Sequence, residues 1–355
     1  MSEAEVLSIV AADGYRLACR RYVPSGGRRP RGLVVYLHGI QSHGGWYDAS
    51  SRRLAEAGLA VYLPDRRGSG LNAADRGHAE SWEQLAADVV AVEDRALADA
   101  GCITATKATA SPGSAGGWYG HGGQTRGSAP TTTATANSSN GIDKQPGDHK
   151  GRPYDNKNSC DPLGNRPAGL PLMLVAVSWG GKLAAALAAM HGGRYAGLAL
   201  LCPGICPQRD VSLGTKLRIA AALATGRRTE RFAIPLDDPQ LFTTTPRWLE
   251  FLARDPLALH EATAQFLFES RRLEATVAAM APWIRVPTWL ALAGRDRIID
   301  NGRTLAWLCR LGSSERTVKL YEAAHHTLEF EPESEPIFAD LAAWLADQAE
   351  KHNRM

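Results

Sequence analysis

Three short blocks of this sequence carry side chains able to do chemistry together. The apolar run 172–177 delivers Ser178, followed by Trp179-Gly180-Gly181 and a helix-like stretch of small and apolar residues. A hydroxyl lifted out of a strand by a sharp strand-to-helix turn can attack a carbonyl, provided the positions two residues to either side are small. Here those positions are Ala176 and Gly180, giving A-x-S-x-G rather than G-x-S-x-G, and a simpler role for Ser178 is to cap the helix. The run 288–292 ends in Ala293-Gly294-Arg295-Asp296, which places a carboxylate just past a strand. Asp300 competes for the same role, but it precedes a helical pattern containing Leu305 and Leu308 and is better explained as that helix's N-cap. The run 317–321 ends in Glu322-Ala323-Ala324-His325-His326 and offers two imidazoles where a general base is wanted. Either histidine alone could sit on the surface. A Ser, Asp, His order at successive strand ends requires three separate positions to agree.

Neutral serine is a poor nucleophile, so an imidazole must take its proton as the oxygen attacks, while a carboxylate holds the ring in the right tautomer. The oxyanion that develops needs preorganised donors. The backbone N–H of Trp179 at the helix start is one candidate, and the N–H of Ile40 in His38-Gly39-Ile40, just after the run 33–37, is the other. The plainer reading of His38-Gly39 is a turn that ends a strand.

These blocks need a scaffold, and the apolar pattern supplies one. Residues 6–10 and 16–22 read as two strands joined at Asp13-Gly14, a dipeptide suited to tight turns. The uninterrupted apolar runs 33–37 and 60–63 read as strands buried on both faces, and 172–177, 198–201, 288–292 and 317–321 read as further strands. Helical segments at 46–56, from Ser81 through Leu97, at 180–190 and at 337–345 alternate with them. A mostly parallel central sheet covered by helices on both faces is the architecture this alternation implies. Ligands of such sheets bind beyond the carboxyl ends of the strands, where all three blocks lie.

Two stretches depart from the alternation. Residues 104–169 are dominated by Gly, Ser, Thr, Asn, Ala and Pro, lack periodicity and cannot bury enough apolar surface to offset their ordering entropy; they read as a disordered insertion. Residues 203–285 are largely helical, broken by Pro235, Pro239, Pro246, Pro256 and Pro282, and emerge between two core strands as a lid. The core is then 1–103, 170–202 and 286–350. Forty Lys and Arg against 37 Asp and Glu leave a formal charge of +3, too small and too scattered to indicate a nucleic-acid partner. No secretory leader pattern and no run of roughly 20 apolar residues is present. The six cysteines lack a paired zinc spacing, and Cys202 and Cys206 have no second ligand pair after them. A cytoplasmic setting is the expectation.

Five blocks resemble one known family, the monoacylglycerol lipase and lysophospholipase branch of the α/β hydrolases. They are His38-Gly39, Asp65-Arg66-Arg67-Gly68-Ser69-Gly70, Val177-Ser178-Trp179-Gly180-Gly181, Gly294-Arg295-Asp296 and Tyr321-Glu322-Ala323-Ala324-His325-His326-Thr327-Leu328. The resemblance spans nearly the whole chain outside the insertion. It implies the α/β-hydrolase fold, a helical lid, and no metal or organic cofactor. The family's last block looks like Y-x-G-A-x-H-x-L, which assigns the base to His326 and leaves His325 as a variable neighbour; Ala323 replaces the usual glycine.

A small acyl-ester substrate follows from this, with a monoacylglycerol or a lysophospholipid as the leading class. Thioesterase, aminopeptidase or acyltransferase action through the same triad, and ligand binding without catalysis, are the alternatives. Within the lid, Leu213, Leu217, Ala221 and Ala224, with Ile219 and Leu223 nearby, form an apolar helical face beside Lys216, Arg218, Arg227, Arg228 and Arg231. Such a helix can rest on anionic lipid, although packing against the protein body is the favoured reading. Trp248, Phe251, Phe266 and Phe268 are candidates for core or acyl pocket and stay unassigned. The sequence does not speak to oligomeric state.

Overall fold

The computed structural model describes residues 4–108 and 169–354. The low-complexity insertion expected at 104–169 therefore lies almost wholly outside the described residues. In chain order the elements are β1 (Glu5–Val10), β2 (Arg16–Tyr22), β3 (Gly32–Leu37), α1 (Asp48–Glu56), β4 (Leu59–Pro64), α2 (Trp82–Ala108), β5 (Leu172–Val177), α3 (Trp179–Met190) and β6 (Gly197–Leu201). There follow α4 (Leu213–Ala224), β7 (Arg231–Ala233), α5 (Pro246–Arg254), β8 (Glu261–Thr263), α6 (Ala264–Met280), β9 (Thr288–Ala293), α7 (Asn301–Leu308), β10 (Arg316–Tyr321) and α8 (Ser334–Arg354).

Eight strands form one sheet in the order β1-β2-β4-β3-β5-β6-β9-β10. The pairs β1/β2 and β2/β4 are antiparallel and all the others are parallel. Gly14, in the turn between β1 and β2, adopts φ +85°, a conformation that costs a side-chain-free residue little. Every residue of β3, β4, β5, β6 and β9 is buried, which is why these strands read as continuous apolar runs instead of alternating ones. β10 is an edge strand with no buried residue: Thr317 and Tyr321 are half-buried, while Val318 and Leu320 stay exposed on the other face.

From β3 the chain steps to β4 on one side and later to β5 on the other. The topological switch point thus falls between the carboxyl ends of β3 and β5, the crevice where such sheets take ligands. His38-Gly39-Ile40 and Ser178 are the residues that leave the sheet there.

Helix starts follow their caps. Ser81 Oγ accepts from Gln84 N (3.1 Å) at α2, and Asp300 Oδ1 accepts from Arg303 N (2.9 Å) at α7, the capping role expected of it. Two helices outrun the expectation: α2 continues to Ala108 and α8 runs from Ser334 to Arg354. Between β6 and β9, Pro246 opens α5 and Pro282 sits in the 3-10 turn after α6. The sequence reading did not anticipate the short antiparallel ribbon β7/β8, because three-residue strands carry too little periodicity to register.

The face that α4 packs is not the one expected. Ile219, Ala222 and Leu223 turn inward, with Ala222 against Phe232 and Ala264, whereas Leu213 and Leu217 remain 73% and 65% exposed. Small Ala222 lets the backbones approach, so the inward stripe is set by fit and not by the largest side chains.

One buried carboxyl makes stability depend on pH. Burial pushes the pKa of Glu329 up to about 7; Oε1 accepts from Ser50 N (2.9 Å) and Oε2 has no partner among the described residues. Between its unfolded value near 4.5 and about 7 the unfolded chain carries the charge and the folded chain does not, so stability falls as pH rises across that window. Glu329→Gln is expected to leave stability unchanged at pH 4.5 and to raise it by about 1–3 kcal/mol at pH 8, as read by urea unfolding. Equal shifts at both pH values would contradict the raised pKa.

Candidate active site

Ser178 sits at the turn between β5 and α3 with φ +51° and ψ −123°, a conformation non-glycine residues seldom adopt and one that costs about 1–3 kcal/mol. Hydrogen bonds on both sides hold it. Its N–H donates to Leu201 O (3.1 Å), and its carbonyl accepts from Gly181 N (2.9 Å) and Gly204 N (2.6 Å). The small neighbours are a packing requirement: a Cβ on Gly180 would lie 2.6 Å from Leu37 O and 2.7 Å from His38 O. Gly39 is less tightly constrained: a Cβ there would lie 3.1 Å from Ser42 Oγ and 3.3 Å from Ser178 Cβ, close enough to press on the nucleophile.

The three separated blocks meet at this turn. His326 Nε2 is 2.9 Å from Ser178 Oγ, and His326 Nδ1 is 2.8 Å from Asp296 Oδ2. The imidazole is 1% exposed and the carboxylate not at all. The other oxygen, Asp296 Oδ1, accepts from Ile298 N (2.8 Å) and Ile299 N (3.0 Å). Burial works to raise the Asp296 pKa, but the adjacent His326 and the two backbone donors outweigh it and hold the carboxyl below its ordinary value. It is therefore an anion near neutrality, able to accept from Nδ1–H and leave Nε2 facing the serine. His325 is held elsewhere, with Nδ1 3.1 Å from Glu331 Oε1.

Cys202, at the end of β6, places its thiol within 4.8 Å of the ligating atoms of Asp296 and His326, which the C-x3-C spacing gave no reason to expect. Burial first, and then the Asp296 charge, push that thiol's pKa far up, so it is a neutral filler beside the pair.

Ser178, Trp179 and Ile40 share the wall of a cavity of about 670 Å³. The Ile40 N–H has no acceptor among the described residues. Ile219, Leu223 and Phe268 contribute to the apolar wall. Of the four aromatics left unassigned, only Phe268 lines this cavity. Trp248 and Phe251 instead pack with Trp46 and Phe330, a cluster whose Phe242 abuts His326 at 6.2 Å between ring centres, and Phe266 stacks under Trp179 at 5.4 Å. Two rungs join α3 to α6: Trp179 Nε1 donates to Ser270 Oγ (2.8 Å) and Lys182 Nζ pairs with Glu274 Oε2 (2.8 Å). Neither rung was legible in the sequence, because the partners are about 90 residues apart and each side chain is unremarkable alone.

The Asp65-to-Gly70 block supports the site from below. Asp65 is fully buried and accepts from Gly44 N (2.6 Å), Leu71 N (2.8 Å) and Arg20 Nη1 (3.0 Å). Its two arginines divide. Arg67 forks onto Asp88 (2.7 and 2.9 Å) and reaches Asp13, whereas Arg66 turns inward toward the loop after β3.

A family model described as Hydrolase_4, serine aminopeptidase S33, matches residues 28–115 and 154–333. The chain belongs to this family. Among curated proteins it is 22% identical to human monoglyceride lipase over 96% of this chain and 90% of that protein. It is 21% identical to the monoacylglycerol lipase of Mycolicibacterium smegmatis over 95% of each. Among solved structures, a soluble variant of the Saccharomyces cerevisiae monoglyceride lipase, determined with a substrate analogue, superposes with a TM-score of 0.69 at 15% identity, covering 99% of this chain and 96% of that one. The Paleococcus ferrophilus monoacylglycerol lipase gives 0.65 at 18%, covering 94% and 99%. The fold is accordingly the α/β-hydrolase fold expected from the motif blocks. Among the described residues no helix is long and apolar enough to cross a membrane.

Proposed function

We propose that the chain is a serine hydrolase cleaving single-chain acyl esters, monoacylglycerol foremost, through Ser178, His326 and Asp296. The observation that carries this reading is the continuous Ser178–His326–Asp296 hydrogen-bonded chain opening on an apolar cavity. The names of its full-length relatives, which are monoglyceride lipases, support the choice of ester and of acyl class.

In this reading His326 Nε2 takes the Ser178 proton as Oγ attacks the ester carbonyl, and Asp296 stabilises the imidazolium that results. The N–H groups of Ile40 and Trp179 receive the oxyanion. Collapse of the tetrahedral adduct breaks the bond to the alcohol oxygen, which leaves with the His326 proton. Water then repeats the sequence on the acyl-enzyme, with His326 again as base, and releases the carboxylic acid. The segment 203–285 acts as the lid, and the exposed Leu213 and Leu217 of α4, with Arg218 and Arg227 beside them, rest on a lipid surface from which the substrate enters.

A second substrate reading rests on charge. Around the cavity stand five basic side chains, among them Arg209, Lys216 and Arg271, against two carboxylates, Asp210 and Glu274. That excess suits a substrate with an anionic headgroup, such as a lysophospholipid. A panel with one acyl chain and varied headgroups separates the two. Hydrolysis of 1-acylglycerol that is unaffected by Arg209→Ala and Arg271→Ala supports the neutral substrate. A preference for lysophosphatidate that falls roughly tenfold in those variants supports the anionic one.

A further inference from the structure

Arg66 is an unusual cation. It is 9% exposed and makes no ion pair with any carboxylate among the described residues. Taking a guanidinium out of water with no carboxylate in contact, only the more distant charge of buried Asp65, is expensive, so the groups that hold it there are informative. Its fork grips two successive carbonyls: Nη1 donates to Gly39 O (3.0 Å) and Nη2 to Ile40 O (2.9 Å). Aromatic faces flank it, with the guanidinium carbon 4.8 Å from the Trp179 ring centre and 5.1 Å from that of Phe266. Burial pushes its pKa down to about 9, which still leaves it cationic at neutral pH.

The same residue reaches the loop a second way. Arg66 N donates to His38 Nε2 (2.8 Å), so Nε2 is the acceptor nitrogen, and Nδ1 carries the proton toward Gly39 O (2.8 Å). Burial, followed by the Arg66 charge, pushes the His38 pKa down to about 3 and keeps the ring neutral. Gly39 O therefore receives two donors, one from the Arg66 fork and one from a tautomer that Arg66 sets.

The geometry of the peptide bond turns this into a functional statement. Gly39 C=O and Ile40 N–H belong to one planar trans peptide and point in opposite directions. Fixing the carbonyl on Arg66 and His38 fixes where the N–H aims, which is away from them; Ile40 and Ser178 both line the cavity. We propose that Arg66 is a positioning residue for the oxyanion hole, clamping the Gly39–Ile40 peptide so that the Ile40 N–H is aimed at the developing oxyanion before substrate arrives. This rests on the reading that Ile40 is an oxyanion donor. Arg66 touches no reacting atom; its contribution is preorganisation of a donor.

The test compares Arg66→Lys and Arg66→Met in the full chain. Lysine keeps the charge and most of the length but cannot span two carbonyls, and methionine keeps the stem between the rings. Active sites are titrated with a fluorophosphonate, so that turnover is expressed per competent site and misfolded protein drops out. Loss of a whole oxyanion donor costs about 10²–10³ in kcat, so a donor that is merely unaimed is expected to cost roughly 10- to 100-fold per titrated site in both variants. KM and the affinity for a non-hydrolysable ether analogue should stay within about twofold, while a trifluoromethyl ketone, which forms the tetrahedral adduct, weakens in step with kcat. Arg66→Lys with wild-type turnover per site, or a loss confined to KM, overturns the proposal. Should both variants fail to fold, Phe266→Leu, which removes one ring face, must show the same coupled loss of kcat and ketone affinity, and unchanged values overturn the proposal. A wild-type chain without ester hydrolysis or fluorophosphonate labelling defeats the hydrolase reading as well, whereas an active wild type with unimpaired variants defeats only the clamp.

Discussion

Ser178→Ala is expected to lower ester hydrolysis by on the order of 10⁵–10⁶-fold while leaving the thermal transition within a few degrees of wild type. The proposed mechanism has no second nucleophile in reach: Cys202 is the nearest alternative by chemistry, and its buried, strongly raised thiol cannot supply a thiolate. The residual rate should be that of an oxyanion hole acting on bound substrate and water. Replacing the serine removes one hydroxyl from a turn held by backbone hydrogen bonds to Leu201 and from Gly181 and Gly204, so the elbow itself should persist. The measurement is initial rate on a soluble acyl ester, with circular dichroism as the check on folding. A variant that keeps a tenth of wild-type activity would remove Ser178 from the chemistry.

Asp296→Asn should cost on the order of 10⁴-fold in kcat with KM little changed, and the reason lies in this site's own hydrogen bonds. Two backbone donors, Ile298 N and Ile299 N, hold the Oδ1 position, so the asparagine oxygen stays there and its NH₂ takes the place of Oδ2 facing His326. An NH₂ group at that position donates to Nδ1, forces the proton onto Nε2 and leaves the imidazole unable to accept from Ser178. Asp300→Asn is the matched control. Asparagine caps a helix as well as aspartate does, and Asp300 Oδ1 faces Arg303 N and not the imidazole, so activity should stay within about twofold. Reversal of the two results would mean that the acid has been assigned to the wrong carboxylate.

Much of the scaffold was legible because burial writes itself into sequence. β3, β4, β5, β6 and β9 are covered on both faces and appear as unbroken apolar runs, so their positions, and the residues that end them, could be read directly. Asp300 could be read as a helix cap because capping has its own local signature, which the structure displays. What escaped is non-local. The inward role of Arg66 depends on the ends of β3 and β4 lying side by side, and two adjacent arginines in a Gly-rich turn give no hint that one meets carboxylates and the other carbonyls. The packed face of α4 was misjudged for a related reason: amphipathic spacing marks where the large apolar residues lie, but which stripe docks is settled by the partner surface, here Phe232 and Ala264. The α3–α6 rungs likewise exist only once the two helices are neighbours.

Peptide mapping of the fluorophosphonate-treated protein is the most direct measurement of whether Ser178, His326 and Asp296 form a working relay. A single adduct is expected on the peptide containing Ser178, forming with the same pH dependence as ester hydrolysis and absent after His326→Ala. An adduct on another residue, or ester hydrolysis that continues with Ser178 unmodified, would contradict it.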